Sequence, residues 1–324
     1  MPFAGKVTPE QQMRKTAMSD PKSLALFYVA DGYRLEKQSW LLSASLAKAH
    51  EGDARVRQVA YASAANRAEM RDITHAIYEV CGVELRTLDA PPKWKKPYPH
   101  GNKIVAACDD RGTTHSVFLD TDMACTASLA EFMDLAPDTC AAAPEGRPTW
   151  GGKNARWTRA YAHFDMEVPK ERVKLLRGAK LEYVPYFNAG LVAFPEARQD
   201  DGRRFGEHWL DTALDFDLNC AIANKRPWLD QITLPLTMKR FGYKTRVLDE
   251  LHNYSLSHRM DYSQTPDAVI LHYHRMRFLY QSPQWPDLRD TLVDKMPSAH
   301  RDELDAHIKD IESSLDAEDS SAST

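Results

Sequence analysis

Ser116-Val-Phe-Leu-Asp-Thr-Asp-Met-Ala124 contains an apolar run, Val117 to Leu119, that stops on two carboxylates, Asp120 and Asp122. Val-Phe-Leu is the composition of a buried strand. The carboxyl end of such a strand is where an open α/β sheet places its ligand crevice. Two aspartates one residue apart cannot both be buried unpaired there, because desolvating a charge is costly. They require a cation. Oxygen ligands suit Mg2+ or Mn2+, metals that share their shell with substrate phosphates. The local reading is a strand-end metal site that holds a phosphorylated ligand. Asp-x-Asp alone does not decide this in a chain that is 27% charged, so the reading depends on the rest of the sequence.

The chain has 324 residues, 43% of them hydrophobic, enough for one large α/β domain or two small ones. A net charge of -4 offers no basic field, which argues against a nucleic-acid partner. The five cysteines, at 81, 108, 125, 140 and 220, form no Cys-x-x-Cys pair. That predicts reduced, mostly buried thiols and a cytoplasmic location. The first 22 residues lack the apolar core of a signal peptide. No run approaches about 18 apolar residues, so no transmembrane segment is expected.

Working outward from the motif, Ser23 to Ala30 reads as a buried first strand that breaks on Asp31-Gly32. Helical spacing follows from Leu35 to His50, then a strand at Val56–Ala62. A helix is expected over Asn66–Cys81 with Gly82 as its C-cap, then a strand at Val83–Leu88. Pro91 to Pro99 is a stiff loop, either a plain connector or a rim on which Trp94 or Tyr98 stacks against a ring. Lys103–Cys108 is helical. Ser128–Leu135 predicts a short helix and Thr139–Ala143 a strand. Residues 145–180 read as an irregular, basic and aromatic insertion over one face of the domain, either an acceptor-binding lid or a plain surface excursion. Tyr186–Phe194 is a strand, Gly202–Asn219 a helix, and Asp230 to Lys239 another. Arg246–Leu248 is a strand, His252–Tyr254 a turn and Ala268–His274 a last apolar strand. Residues 297–313 form a charged amphipathic helix. Strand–helix alternation predicts a mostly parallel sheet with helices on both faces. The division is a polar lead-in (1–22), one domain (23–280), a helical appendage (281–316) and a disordered tail (317–324). Asp31, Asp120 and Asp122, Asn188 and His272 then fall at strand ends, which in a parallel sheet converge on one edge.

These motifs, in this order, resemble the retaining nucleotide-sugar glycosyltransferases of family 8, the group of glycogenin and the bacterial lipopolysaccharide galactosyltransferases. The resemblance spans about residues 23–280. It is carried by Phe27-Tyr-Val-Ala-Asp-Gly-Tyr33, Asn102-Lys-Ile104, Phe118-Leu-Asp-Thr-Asp122, Tyr186-Phe-Asn-Ala-Gly-Leu-Val-Ala-Phe-Pro195, Asp230-Gln231, His252-Asn-Tyr254 and Ile270-Leu-His-Tyr273. It implies a single Rossmann-like α/β domain of the GT-A type with a C-terminal helical appendage. It implies that Asp120, Asp122 and His272 hold Mn2+ (or Mg2+) against the diphosphate of a UDP-sugar. Ala30, Asp31 and Tyr33 would meet base and ribose, Tyr33 by stacking. Lys103 would approach the donor beside the metal. Asn188, Ala189 and Gly190 would line the sugar, and Asp230 and Gln231 would face the reacting centre. The acceptor would be a glycan, a lipid-linked glycan or a protein.

One departure is plain. The family's final histidine is followed by Gly and then Lys-Pro-Trp, whose lysine meets the diphosphate. Here the chain reads His272-Tyr-His-Arg-Met-Arg-Phe278. Arg275 or Arg277 would have to substitute, guanidinium being a good phosphate ligand. Whether His272 or His274 meets the metal stays open, since alternation puts both on one strand face. Two other readings compete. One is a sugar-nucleotide or glycan-binding protein without catalysis. The other is a haloacid-dehalogenase-like phosphatase, which also sets Asp-x-Asp at a strand end but on its first strand and with Thr or Val where Ala124 stands.

Overall fold

Leu24-Ala-Leu-Phe-Tyr-Val29 forms β1, and every residue of it is buried. Leu24, Leu26 and Tyr28 enter one apolar layer, Phe27 and Val29 the other. A strand covered on both faces has no polar side, which is why its sequence is an unbroken apolar run. The computed structural model describes residues 21–152, 155–257 and 261–309. After β1 come α1 (Tyr33–Ala49), β2 (Val56–Ala62), α2 (Ala64–Ala68), α3 (Asp72–Cys81), β3 (Val83–Thr87), α4 (Asn102–Ala107), β4 (His115–Leu119), β5 (Met123–Cys125) and β6 (Thr139–Pro144). Then follow α5 (Arg156–Ala162), β7 (Val173–Lys174), β8 (Glu182–Tyr183), β9 (Phe187–Pro195), α6 (Phe205–Asn219), α7 (Leu229–Arg240) and β10 (Lys244–Val247). The last are β11 (Tyr254–Ser255), β12 (Ile270–His272), α8 (Met276–Tyr280), α9 (Trp285–Lys295) and a helical stretch α10 over 301–309.

The main sheet runs β10-β6-β9-β4-β1-β2-β3. All its neighbours are parallel except β9, which is antiparallel to both β4 and β6. That reversal places the site. It brings the start of β9 to the edge where β4 ends, and the Asp120 N–H donates to the Gly190 carbonyl at 2.8 Å. Between the pairs Ala142–Val192 and Pro144–Phe187, β6 advances two residues and β9 five. The surplus lies at Asn188-Ala-Gly190, so the strand bulges beside the aspartates, a device that re-aims side chains.

Five expectations need correcting. The last strand does not join the main sheet. β12 pairs with β11 and, antiparallel, with β5, so that Asp120-Thr-Asp122 is the corner where the chain leaves one sheet for the other. The strand ends therefore converge from two sheets, not from one parallel edge. The helix expected over 66–81 is two helices, because the chain turns at 69–71 before Asp72 begins α3. Gly82 does close it, left-handed at φ 65°. The stretch 145–180 is not an irregular lid: it contains α5, and Trp150, Trp157 and Tyr161 are buried in the layer on the Phe27 side of the sheet. The short helix expected over 128–135 is a 3-10 turn, Ala130–Asp134. Trp94 and Tyr98 are likewise buried rather than presented for stacking. All five cysteines are free and all but Cys108 are buried. Of the helix expected over 297–313, residues 301–309 are helical; 310–313, like the tail 317–324 and residues 1–20 of the lead-in, lie outside the described residues. Among the described residues no helix is long and apolar enough to cross a membrane.

Candidate active site

Pairing of β12 with β5 sets His272 opposite Met123, one residue from Asp122. The Tyr273 N–H donates to the Asp122 carbonyl at 3.0 Å and fixes the approach. His272 Nε2 then lies 3.3 Å from Asp122 Oδ1. Its Nδ1 faces Asn253 Oδ1 at 3.0 Å, and a carbonyl oxygen only accepts, so Nδ1 carries a proton and Nε2 is the nitrogen turned to Asp122 and the site. His274 breaks from the strand with φ 54° and lays its ring 3.9 Å, centroid to centroid, from that of His272. Asp122, His272 and His274 each offer a ligand atom within 4.8 Å of the others. The histidine left open by strand alternation is thus not a choice of one: both reach the same point. Burial would raise the Asp122 carboxyl, but His272 outweighs it and holds that carboxyl well below the usual range. Burial would lower His272, and Asp122 in turn holds it above its ordinary value. Burial and the neighbouring His272 push His274 down to about 3, so it is neutral.

Asp120 turns the other way. Its Oδ1 is 2.9 Å from Lys103 Nζ, and the same ammonium is 3.1 Å from Asp230 Oδ2 and donates to the Ala189 carbonyl at 3.0 Å. Lys103 is the second residue of α4 and is buried, and Asp230 sits in the first turn of α7. Three acceptors use all three hydrogens of the ammonium. Burial opposes the Lys103 charge, yet the two carboxylates keep it above its ordinary value. Burial raises Asp120 in spite of Lys103. Tyr98 completes the knot: its hydroxyl lies 2.8 Å from Asp230 Oδ1, and it accepts the Asp230 N–H at 3.0 Å.

A third group joins β9 to α7. Glu145, directly after β6, accepts from Gln231 Nε2 at 2.7 Å and from Asn188 Nδ2 at 3.1 Å. Asn188 Oδ1 accepts from the Gly190 N–H and from Asn253 Nδ2, both at 2.9 Å. One chain of hydrogen bonds therefore runs Gln231–Glu145–Asn188–Asn253–His272. Gly190 is closely packed here: a Cβ on it would stand 2.6 Å from Met123 Cε, 2.8 Å from Asn188 Oδ1 and 3.0 Å from His272 Cε1, so these side chains would have to shift.

Cavities open on both sides of the acidic corner. One of about 320 Å³ is walled by Val29, Arg34, Gln38, Lys103, Asp120 and Asp122. A second of about 320 Å³ is polar, walled by Glu145, Arg177, Asn188, Asn253, Ser255 and His274 among others. The residues expected at base and ribose are placed unevenly. Ala30 is buried. Asp31 is spent inside the protein, accepting from Ser63 N–H, Asn66 Nδ2 and Asn102 Nδ2 at 2.6–3.0 Å. Tyr33 is 64% exposed but carries Lys37 and Arg71 over its ring at 4.5 and 5.0 Å. Arg275 is exposed and walls a third cavity with His274, while Arg277 lies over the Phe278 ring at 5.2 Å. Sequence reasoning missed Glu145 and Asn253 as site residues, and gave Tyr98 a stacking role where it instead holds Asp230. Asn253 stood in the His252-Asn-Tyr254 turn; nothing in the sequence marked Glu145.

Residues 26–242 match a family model, the Rhodobacterales glycosyltransferase domain. A search of curated proteins found no match. Among solved structures, the apo bifunctional glycosyltransferase WbbM superposes with a TM-score of 0.53 at 13% identity, over 89% of this chain and 52% of that one. The chain thus spans about half of WbbM. The galactosyltransferase LgtC, in complex with donor and acceptor sugar analogues, gives 0.51 at 15% identity, over 86% of this chain and 99% of that one. At such identities the likeness is one of fold.

Proposed function

The chain belongs to the Rhodobacterales glycosyltransferase family and has the GT-A fold, and from that premise we propose that it moves a hexose from a UDP-sugar to a hydroxyl acceptor, using a divalent metal ion and retaining configuration. The observation that carries this is the meeting of Asp122, His272 and His274 within 4.8 Å, at the corner between two cavities. The donor set fits a divalent ion: one carboxylate and two imidazoles, with His272 Nε2 turned to the site and His274 held neutral; the proton that His272 shares with Asp122 would be displaced by an ion there. Asp120 meets Lys103 through Oδ1, and its other carboxylate oxygen is the further ligand for the ion. Bound there, the ion would offset the negative charge that develops on the departing nucleoside diphosphate.

The protein's own groups supply position and charge. Lys103 binds Asp120 to Asp230, so the acidic corner and the start of α7 hold a fixed spacing. Glu145 orients Asn188 and Gln231 together. Asn188 Oδ1 already accepts two hydrogen bonds, and both Asp230 oxygens are engaged. Gln231 Oε1 accepts only from the Tyr186 hydroxyl, at 3.2 Å, which leaves it the readier oxygen to face an oxocarbenium-like sugar. Retention needs no carboxylate base opposite the leaving group, since a phosphate oxygen can take the acceptor's proton. The polar cavity beside Glu145 and Arg177 suits the sugar and acceptor.

A thermal-shift panel of UDP-, GDP- and CMP-sugars, with and without Mn2+, tests this. A donor at a hundredfold its Kd adds about 2.7 kcal/mol of stability. A shift with a UDP-sugar that requires Mn2+ and is lost in Asp122→Asn is expected. No shift with any donor would overturn the reading.

A further inference from the structure

The donor cavity has an unbalanced charge account. Its ionisable walls are Arg34, Lys103, Asp120 and Asp122, with His100. A nucleoside diphosphate brings negative charge to a place that already holds two carboxylates. Asp122 is met by His272 and Asp120 by Lys103. Lys103 has nothing left to give, because its three hydrogens go to Asp120, Asp230 and the Ala189 carbonyl. Among the walls of this cavity, the cation that remains is Arg34. It lies one residue into α1, is exposed, and among the described residues forms no ion pair. The same residue walls the neighbouring cavity of about 400 Å³ together with Lys37, His274 and Arg275, and no carboxylate lines it; Lys37 lies over the Tyr33 ring at 4.5 Å. Arg34 therefore walls two cavities, one shared with the acidic corner and one shared with Arg275.

We propose that Arg34 is the principal diphosphate-binding side chain of the donor site, with Arg275 its partner in the cavity they share. This rests on the nucleotide-sugar reading given above. A guanidinium presents two parallel N–H donors to a phosphate, and nothing has to be broken to free it. Lys103 would have to give up a buried carboxylate to do the same, which leaves a charge uncompensated. The assignment also accounts for the missing Lys-Pro-Trp: its cation is supplied from the first turn of α1 instead of from the segment after the last histidine.

Titration calorimetry with UDP, UMP and uridine in Mn2+, on wild type, Arg34→Ala and Arg34→Lys, tests the assignment. Arg34→Ala should weaken UDP by about tenfold or more, the loss of one charge-assisted contact, and leave uridine unchanged. Arg34→Lys should recover part of the loss, and Arg275→Ala should add to it. An unchanged melting temperature shows that the exposed substitution does not disturb the fold. UDP binding to Arg34→Ala within twofold of wild type, with uridine and UMP likewise unchanged, overturns Arg34 alone. Wild type that binds no UDP overturns the donor reading and this assignment with it.

Discussion

Asn253 is the residue on which the site's chemistry turns most quietly. It is not among the three groups that converge within 4.8 Å, yet it accepts from His272 Nδ1 and holds the oxygen of Asn188. Partners of this kind typically matter 10–100-fold for metal affinity. Asn253→Ala should raise the Mn2+ concentration needed for donor binding by about that factor with little change in fold. Fluorescence quenching by Mn2+ reads this directly, and an unaltered midpoint would remove Asn253 from the account. Gly190 is the steric counterpart. Gly190→Ala drives a methyl into Met123, Asn188 and His272. An insertion of that size costs about 1–3 kcal/mol, to be seen as a lower urea midpoint together with loss of the Mn2+-dependent shift.

Elements are fastened to one another by buried charges away from the site. Arg111, between α4 and β4, is fully buried and pairs with Glu196, just after β9, at 2.5 Å, and Arg204 at the start of α6 shares the same carboxylate at 3.4 Å. Removing one partner of a buried pair costs about 3–5 kcal/mol, because a charge is left uncompensated. Glu196→Ala should fall in that range by urea unfolding, and a cost under about 1 kcal/mol would mean that the pair is solvated after all. His50 ends α1 and ties it to the turn before Ala130: its Nδ1 donates to the Leu46 carbonyl at 2.9 Å and its Nε2 accepts the Leu129 N–H at 2.8 Å. Burial, opposed by the Leu46 carbonyl and Asp53, lowers its pKa. The folded state therefore binds its proton less readily than the unfolded chain, whose histidine titrates near about 6.5. Stability from His50 is full above that value and is lost as pH falls below it. The urea midpoint should drop between pH 7.5 and 5.5, and His50→Gln should flatten that slope.

At the scale of the molecule, the family match ends at residue 242 but the core does not. Trp285, Leu288, Leu292, Met296, Leu304 and Ile308 are buried in the same apolar layer as α1, with α9 packed on that helix. Burying such side chains contributes at least about 1.5 kcal/mol each, together comparable with a domain's whole stability of about 5–15 kcal/mol. Deleting 285–309 should leave a protein without a cooperative thermal transition. A truncated chain that melts within a few degrees of the full one would show the segment to be an independent appendage.

What was legible in the sequence follows from period and punctuation. Unbroken apolar runs gave β1 and β4, helical spacing gave α1, Gly82 its cap, and the ordered motifs Asp120-Thr-Asp122, Phe187-Asn-Ala-Gly190 and Asp230-Gln231 gave the fold and the neighbourhood of the site. These are local signals, and local physics suffices to read them. The partners inside the site were not legible. That β9 runs antiparallel and bulges, that β12 leaves the main sheet so that His272 and His274 close on Asp122, and that Lys103 is shared by Asp120 and Asp230 are all decided by long-range pairing. So are the roles of Glu145 and Asn253, polar residues in loops whose sequence surroundings resemble any solvated turn. The aromatics Trp150, Trp157 and Tyr161 are the converse case: their composition suited a lid, and only their burial in the layer on the Phe27 side of the sheet made them core. Sequence determines which groups must find partners; which partner each finds depends on elements far apart in the chain, and only the tertiary structure sets that.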